Sequence, residues 1–303
     1  MSHAFILLIA LLLDAAFGEP DAIWRRVPHP AVLMGRAVGW ADDRLNNGAG
    51  RVVSGALAII GLALLAWYAG KVLAWFGWPV EALAAAVLLA QRSLVSHVED
   101  VANALHLSLA EGRRAVAEIV GRDTDGMERP DVARAAIESA AENLSDGVVA
   151  PAFWFLLLGL PGLMAYKMIN TADSMIGYRT ERHEEFGKAA ARIDDFANWI
   201  PARLTALLLY LTGRIAASWG VVRDGAGQHR SPNAGWPESA MAHLLGVALA
   251  GPRRYHGETR AYPFVNEDGA HDIGPAEIDR AVAALWRAWA GLVGLAVLIA
   301  IVS

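Results

Sequence analysis

The chain contains several apolar runs close to the length that a helix needs to cross a membrane, about 20 residues for about 30 Å of hydrocarbon. Apolar residues make up 55% of the sequence and charged residues 19%. This is more apolar than an ordinary soluble domain, yet too charged for a bundle buried wholly in lipid. The runs extend over Ala4 to Phe17, Val52 to Ala69, Val80 to Ala90 and on toward Val95, Val148 to Ile169, Ile200 to Trp219, and Leu285 to Val302.

We therefore predict an all-α, polytopic integral membrane protein with four to six membrane segments, one of them re-entrant, and amphipathic cytoplasmic helices. We expect a single membrane-embedded domain over residues 1–303, in which 91–147 and 220–284 are mainly cytoplasmic connections. The first run lacks a positive n-region and a small-residue cleavage site, so we do not expect a removed signal peptide.

Arginines are concentrated in the connections 18–51, 91–147 and 220–284. The positive-inside bias places these connections on the cytoplasmic side of the cell (inner) membrane. If all six runs crossed, the acid-rich stretch 170–199 would face outward. The sequence Gly159-Leu160-Pro161-Gly162 interrupts the fourth run, and a broken, re-entrant helix there would return 170–199 to the cytoplasm. We favour this arrangement, which places the candidate site residues on the cytoplasmic side.

Several function classes lack the residues they need. The formal net charge is −5 and no Lys/Arg block is longer than two residues, which argues against nucleic acid as a partner. The chain has no cysteine, so disulfides, thiolate metal sites and cysteine nucleophiles are excluded. It has neither a Gly-x-x-x-x-Gly-Lys-Ser/Thr loop nor a Gly-x-Ser-x-Gly elbow. A bound nucleotide would therefore need carboxylates, Mg²⁺ and basic side chains.

Carboxylates and amides cluster around the fourth run and before the fifth. Charge is costly to hold at the edge of a bilayer, which favours a functional role for these groups. Oxygen ligands one helical turn apart suit Mg²⁺, which takes one or two carboxylates together with waters and phosphate oxygens. The alternative is a solvated surface on which Arg134 and Glu138 form an ion pair. The clusters comprise Glu138, Glu142, Asn143 and Asp146, then Lys167, Asn170 and Asp173, then Asp194, Asp195 and Asn198.

Longer motifs follow one another in order along nearly the whole chain. They are Leu13-Asp14 with Gly18-Glu19-Pro20, His29-Pro30, Gly121-Arg122-Asp123-Thr124, Glu138-x-x-x-Glu142-Asn143-x-x-Asp146-Gly147, Lys167-x-x-Asn170-Thr171-x-Asp173-Ser174, Asp194-Asp195-x-x-Asn198-x-x-Pro201-Ala202-Arg203, and Ser231-Pro232-Asn233-Ala234-Gly235-Trp236-Pro237-Glu238. Together they resemble the adenosylcobinamide-phosphate synthase family of cobalamin biosynthesis, the CobD/CbiB type.

This resemblance implies a membrane enzyme, an ATP-dependent acid–amine ligase. It would join the propionate carboxylate of adenosylcobyric acid to (R)-1-aminopropan-2-ol or its O-phosphate. The implied co-substrate is ATP, the implied cofactor is Mg²⁺, and the substrate is a corrinoid. The protein is expected to lie in membrane lipid. The resemblance is compatible with a homo-oligomer or with a complex with other cobalamin-biosynthesis enzymes.

The resemblance also implies roles for individual residues. Lys167, Arg179 and Arg122 are expected to offset charge on the transferring phosphoryl group or to bind aminopropanol phosphate. Glu138 is expected to take the proton of the attacking amine. The expected Mg²⁺ ligands are Glu142, Asp146, Asp173, Asp194 and Asp195, with Glu142 and Asp173 also catalytic, and the other expected substrate-binding residues are Asn143, Asn170, Asn198, Arg203, Asn233 and Trp236.

Two local features of the sequence have a second interpretation, and two other function classes are compatible with it. The turn Ser231 to Glu238 leads into a predicted helix Ala240 to Ala250, and with Trp236 and Tyr255-His256-Gly257 it is predicted to line the corrinoid rather than to be a structural turn only. His29 is predicted to be a hydrogen-bonding anchor rather than a cobalt ligand. An intramembrane Mg²⁺-dependent prenyl or alcohol-phosphate transferase would need similar acids but no ATP. A transporter would hold its acids within the spans.

Overall fold

The computed structural model describes residues 1–255 and 258–302, with the backbone alone for Asp21, Arg254, Tyr255, Glu258 and Thr259. The structure is mostly helical with almost no sheet, which confirms the predicted fold class. His256 and Gly257, predicted to line a corrinoid, lie outside the described residues.

The helices are α1 His3–Phe17, α2 Asp21–Trp24, α3 Pro30–Leu45, α4 Arg51–Ala74, α5 Trp78–Leu88, α6 Gln91–Leu107, α7 Leu109–Ala117, α8 Arg129–Leu144, α9 Ala150–Ile176, α10 Lys188–Ala197, α11 Trp199–Gly213, α12 Trp219–Gly227, α13 Gly235–Leu245 and α14 Pro275–Val302. A π-helical turn, Ser145–Val149, stands between α8 and α9. The strands are β1 Leu249–Ala250, β2 Arg253–Tyr255, β3 Glu258–Arg260 and β4 Phe264–Val265. Strand β1 pairs antiparallel with β4, and β2 with β3.

Four helical stretches in the described part of the chain are long and apolar enough to cross a membrane, which indicates a membrane protein. They are Arg51–Ala74, Trp78–Leu107, Arg129–Ile176 and Pro275–Val302. Helix α1 is apolar but has only 15 residues. The run Ile200 to Trp219 is not one helix, because α11 ends at Gly213 and Arg214 has φ 55°, outside the helical region. The prediction of a single spanning helix there is wrong, and the count is at the lower end of the predicted range.

The predicted break in the fourth run is confirmed. Gly159 has φ 67° and ψ −163°, a conformation accessible essentially to glycine alone. Pro161 follows two residues later and has no N–H to continue the helical hydrogen bonds. Helix α9 therefore consists of two helical segments joined at Gly159. The re-entrant path and the cytoplasmic orientation stay predictions.

The chain forms two compact units. The first consists of Met1–Arg92, Asp146–Trp199 and Leu295–Ser303, and the second of Ser93–Ser145 and Ile200–Gly294. In the first unit α1, α3, α4, α5 and α10 pack against α9. In the second, α13 packs against α8 and α12, and β1 lies against α8 and α13.

The connections of the second unit agree with the prediction in one part and differ in another. Helices α6, α7 and α8 occupy the stretch predicted to hold amphipathic helices. The helix predicted over Ala240 to Ala250 instead begins at Gly235 and ends at Leu245. Gly246 adopts the left-handed conformation with φ 70°, which ends the helix and turns the chain into strand β1. That prediction was wrong in its boundaries.

Helices α4 and α9 approach closely where Gly70 faces the backbone of Pro161. A Cβ atom placed on Gly70 would lie 2.7 Å from Pro161 Cα and 2.9 Å from its nitrogen. Small residues at helix interfaces permit such contact between backbones in membrane proteins. A side chain at position 70 would therefore force the two helices apart.

We predict that Gly70→Ala lowers stability by about 1–3 kcal/mol, because neither backbone can move without repacking. Gly61→Ala in the same helix is the matched control, since no atom lies within 4 Å of its added Cβ. Alanine is the better helix former, so the control should be neutral or slightly stabilised. The measurement is the thermal midpoint of unfolding in detergent, and equal midpoints for the two variants would contradict the prediction.

Candidate functional site

Four of the predicted site residues lie together in the first unit. The Asn170 side-chain amide donates hydrogen bonds to Asp146 Oδ2 at 3.4 Å and to Asp194 Oδ1 at 3.3 Å. Asn198 Nδ2 donates to Asp194 Oδ2 at 3.0 Å. We call Asp146, Asn170, Asp194 and Asn198 the acid–amide cluster. It brings together residues from three separate predicted motifs.

A break in helix geometry positions Asp146. The residue lies in the π-helical turn Ser145–Val149, a type of irregularity often found at functional sites. Pro151, near the start of α9, has no N–H to donate to the Gly147 carbonyl one turn earlier. That carbonyl instead accepts a hydrogen bond from the Ala90 amide at 3.1 Å. The proline therefore accounts for the irregular turn that carries Asp146.

The other members lie on α9 and α10. Tyr166, Asn170 and Asp173 are spaced i, i+4 and i+7, so they share one face of α9. The Tyr166 hydroxyl donates to Asn198 Oδ1 at 2.9 Å, and both residues are buried. Tyr166 was not among the predicted site residues, although its spacing from Asn170 and Asp173 places it on the same helix face.

The cluster is strongly acidic. Burial, together with the negative charge of nearby Asp173, raises the pKa of Asp194 to about 7, against the hydrogen bonds from Asn198 and Asn170. Burial also raises the pKa of Asp195, and Arg192 opposes this change. The positive charge of Lys167 interacts with Asp146. An excess of carboxylates in a buried place favours a bound cation or a bound proton.

The acid–amide cluster offers carboxylate and amide oxygens, which are the kinds of ligand atom that Mg²⁺ prefers. In the described ranges, no three Asp, Glu or His side chains are grouped so that they alone would hold a metal ion. Asp146 and Asp194 nevertheless form a pair around one amide, and Mg²⁺ commonly takes one or two carboxylates and completes its shell with water and phosphate oxygens. Rotating the Asn170 amide by half a turn would present its oxygen between the same carboxylates.

A second group of charged residues lies buried in the second unit. Arg122 Nη2 and Arg253 Nη2 lie 2.8 Å and 3.3 Å from the same atom, Glu138 Oε2. The Ala250 amide donates to Glu138 Oε1 at 2.7 Å. Arg253 Nη2 also lies 3.7 Å from Glu238 Oε2, and His229 Nε2 lies 3.5 Å from Glu238 Oε1. We call Arg122, Glu138, His229, Glu238 and Arg253 the arginine–glutamate cluster.

The hydrogen bonds of His229 determine its tautomer. The Ser231 amide donates to His229 Nδ1 at 3.1 Å, so the ring proton of the neutral imidazole is on Nε2, which faces Glu238. Burial, together with the positive charge of Arg253, lowers the pKa of His229 to about 4. Burial, and the neighbouring negative charge of Glu138, raise the pKa of Glu238 well above its usual range. A neutral histidine therefore holds a buried carboxyl group that contacts Arg253.

Arg134 does not pair with Glu138, so the alternative of a surface ion pair between them is wrong. Its guanidinium instead contacts Asp131 Oδ1 at 3.0 Å and donates to the carbonyls of Ala248 and His271. The contact of Glu138 with Arg253 was missed, because the two residues are distant in sequence.

The remaining predicted residues are placed as follows. Glu142, on α8 of the second unit, interacts electrostatically with Arg253 and Arg230. Asn143 donates to the Ser139 carbonyl one turn earlier, and Arg179 is exposed. Their predicted roles stay predictions. His29 accepts a hydrogen bond from the Ala31 amide through Nδ1, and its Nε2 lies 3.1 Å from the Val87 carbonyl, which confirms the anchor.

Three further predicted substrate residues lie together in the second unit. Arg203 Nη1 donates to Asn233 Oδ1 at 3.1 Å, and its guanidinium lies 4.8 Å from the centre of the Trp236 ring. Trp219 packs beside Trp236 with ring centres 5.8 Å apart. The turn that begins at Ser231 therefore presents an aromatic and cationic surface, which suits a planar ligand that carries negative charge.

We predict that His229 makes folding pH-dependent. An unfolded histidine titrates near 6.5, so between that value and about 4 the unfolded chain binds a proton that the folded chain does not. As the pH is lowered from about 6.5 to about 4, the free energy of unfolding should therefore decrease by up to about 3 kcal/mol. His229→Gln should show a weaker loss in thermal unfolding measured between about pH 7 and about pH 4.5. An unchanged pH dependence in the variant would disprove this assignment.

The chain is similar in sequence to proteins of one family. The CobD/Cbib protein family matches residues 7–285. A Brucella anthropi protein named cobalamin biosynthesis protein CobD is 48% identical over 96% of this chain and 95% of its own length. Proteins of the same name from Rhizobium meliloti and Rhodobacter capsulatus are 48% and 45% identical, over 93% and 96% of this chain and 92% and 96% of their own lengths. No solved structure matches. The chain therefore belongs to the CobD/Cbib protein family.

Proposed function

We propose that this chain acts in cobalamin biosynthesis as an ATP-dependent acid–amine ligase. It joins the propionate carboxylate of adenosylcobyric acid to (R)-1-aminopropan-2-ol or its O-phosphate, and so forms adenosylcobinamide or its phosphate. The observation that carries the proposal is the acid–amide cluster, in which Asp146, Asn170 and Asp194 from three motifs meet through hydrogen bonds. The relatives' names support the pathway.

The reaction needs an activated carboxylate, because a carboxylate does not react with an amine while its oxygen is a poor leaving group. A carboxylate oxygen attacks the γ-phosphorus of ATP, which gives an acyl phosphate and releases ADP. The amine then attacks the carbonyl carbon, phosphate leaves, and the proton of the amine passes to a base. Negative charge accumulates on phosphate oxygens in both steps, so the site must supply positive charge.

In this proposal Asp146 and Asp194 would hold Mg²⁺, and Asp173 and Asp195 of the same unit are the other predicted ligands there. Glu142, in the second unit, stays a predicted ligand. When bound, the ion would neutralise charge on the phosphate oxygens. Asn170 and Asn198 hold the carboxylates in place through their amide hydrogens. Lys167 offsets charge on the transferring phosphoryl group, as a flexible point charge commonly does at phosphate sites.

Glu138 has contacts that favour a positioning role beside its predicted role as proton acceptor. Both of its carboxylate oxygens are engaged, one by the Ala250 amide and the other by two guanidinium groups. It thereby holds Arg122, which we propose binds a phosphate group. The inner membrane, with the site facing the cytoplasm, is the proposed location, since the arginine-rich connections favour it.

The first test is turnover by the detergent-purified protein of adenosylcobyric acid with aminopropanol phosphate or free aminopropanol, with and without ATP and Mg²⁺. Amide product should appear only with ATP, with one ADP released per product. AMP release would indicate an adenylate in place of the acyl phosphate. A folded protein that makes no product with either amine would contradict the ligase proposal and favour the Mg²⁺-dependent prenyl or alcohol-phosphate transferase, which turns over without ATP.

Asp146→Asn and Asp173→Asn should each reduce turnover about 100-fold or more, because a neutral amide binds a cation more weakly than a carboxylate does. The helical content and the thermal midpoint should stay near those of the wild type. Asp268→Asn, in an exposed turn, is the matched control and should keep wild-type rates. Wild-type rates in both acid variants would exclude a role for these carboxylates in the reaction.

A further inference from the structure

The motif Leu13-Asp14 with Gly18-Glu19-Pro20 lies in the first unit, and its aspartate is buried. Asp14 is 3% exposed and lies near the end of α1, a helix whose other residues are apolar apart from His3. A carboxylate in such surroundings is costly unless hydrogen-bond donors surround it. The contacts of Asp14 therefore indicate what the motif does.

Backbone amides at the start of α6 supply the donors. The Gln91 amide donates to Asp14 Oδ2 at 2.9 Å, and the Arg92 amide donates to the same carboxylate. The first amides of a helix have no partner within that helix, and the helix dipole favours a negative charge beside them. Asp14 therefore caps α6 from a helix that is distant in sequence.

The glycine of the motif lies against the same turn of α6. Gly18 has φ 56° and ends α1, where its amide donates to the Asp14 carbonyl at 2.8 Å. A Cβ atom placed on Gly18 would lie 2.7 Å from Arg92 Cγ, so a larger residue would push against that side chain. The motif thus forms one side of the junction at which α6 begins.

The residue before this capped turn holds the backbone next to Asp146. Leu89 ends α5 in an extended conformation with ψ 155°, so Ala90 lies between α5 and α6 and outside both. The Ala90 amide donates to the Gly147 carbonyl at 3.1 Å, and a Cβ atom on Gly147 would lie 3.4 Å from Ala90 Cβ. Consecutive amides, those of residues 90 and 91, therefore join the turn that carries Asp146 to the carboxylate of Asp14.

We propose that Asp14 is a positioning residue, which fixes the start of α6 and, through the Ala90–Gly147 hydrogen bond, the place of the Asp146 carboxylate in the acid–amide cluster. Asp146 accepts from Asn170 at 3.4 Å, near the long end of the hydrogen-bond range, so a small shift of the turn would break this contact. The consequence for a bound divalent cation rests on the proposed function, whereas the coupling between Asp14 and Gly147 does not.

Two substitutions separate positioning from direct chemistry. Asp14→Asn keeps an oxygen that can accept from the Gln91 amide, and asparagine caps helices about as well as aspartate does. Asp14→Leu is similar in size and removes the acceptor. A positioning role predicts that asparagine preserves what leucine loses. A metal ligand or a proton acceptor needs the carboxylate, so in that case both variants would lose function.

The first measurement is hydrogen exchange at single amides of the full-length protein in detergent, without metal, ATP or corrinoid. Asp14→Leu should speed exchange at least about tenfold at Gln91, which loses its acceptor, and at Ala90, whose own acceptor is Gly147. Asp14→Asn should exchange as the wild type does at both amides. The control is Leu7→Ala, a buried residue two helical turns earlier in α1. It should lower the thermal midpoint through a cavity and leave both amides protected.

The second measurement is Mn²⁺ binding by the same proteins, followed by loss of the free-ion signal in electron paramagnetic resonance. Asp14→Leu should weaken binding at least about tenfold, as removal of groups that orient metal ligands commonly does. Asp14→Asn and Leu7→Ala should bind Mn²⁺ as the wild type does, because each keeps the acceptor for the Gln91 amide.

The outcomes separate this proposal from the proposed function. Wild-type exchange at Ala90 in Asp14→Leu would overturn the coupling. Loss of Mn²⁺ binding in Asp14→Asn, with Ala90 still protected, would overturn the positioning role in favour of direct ligation. If folded wild type binds no Mn²⁺ saturably while Ala90 exchange responds as expected, the positioning of the turn stands and the metal assignment of the proposed function fails.

Discussion

Compensation of buried carboxylates determines both candidate sites. A carboxylate taken out of water is stable only where hydrogen-bond donors or cations surround it. Asp194 receives two side-chain amides, and Glu138 receives a backbone amide and two guanidinium groups. These partners lie on helix α9, at the end of α10, in the connection before α8, and on strands β1 and β2. The position of each acid is thus determined by the packing of elements that are distant in sequence.

Helix irregularities are the means by which the chain carries polar groups beside membrane-length helices. In the interior of a regular helix the backbone groups are paired with one another, which leaves none to bind another segment. Pro151 interrupts that pattern at the π-helical turn that carries Asp146, and the freed Gly147 carbonyl binds the Ala90 amide. Gly159 interrupts α9 again. The first break follows from a residue without an N–H, and the second from a residue in a conformation that essentially only glycine adopts.

These local causes explain what could be predicted from the sequence. A glycine followed two residues later by a proline indicates a break, so the interruption at Gly159 was predictable, and the acids were recognisable by their spacing. The residues that contact these acids from distant parts of the sequence could not be predicted. Arg253 contacts Glu138, 115 residues earlier, and Arg134 contacts Asp131 rather than the acid one turn later. The end of α13 at Leu245 depends on the left-handed conformation of Gly246. The apolar residues that follow Gly246 made a helix that continues to Ala250 the expected structure.

The two clusters differ in the charge they leave uncompensated, and this difference separates their ligands. In the acid–amide cluster, the neutral Asn170 amide bridges Asp146 and Asp194. Lys167 interacts with Asp146, whereas Asp173 adds negative charge near Asp194, so a cation is favoured at Asp194. In the arginine–glutamate cluster, the raised pKa of Glu238 favours its neutral form. Two guanidinium groups contact the carboxylate of Glu138, and Glu142 also interacts with Arg253, so cationic and anionic groups are closely matched here. A metal ion there would lie beside two guanidinium groups, which makes this cluster a poorer cation site than the acid–amide cluster.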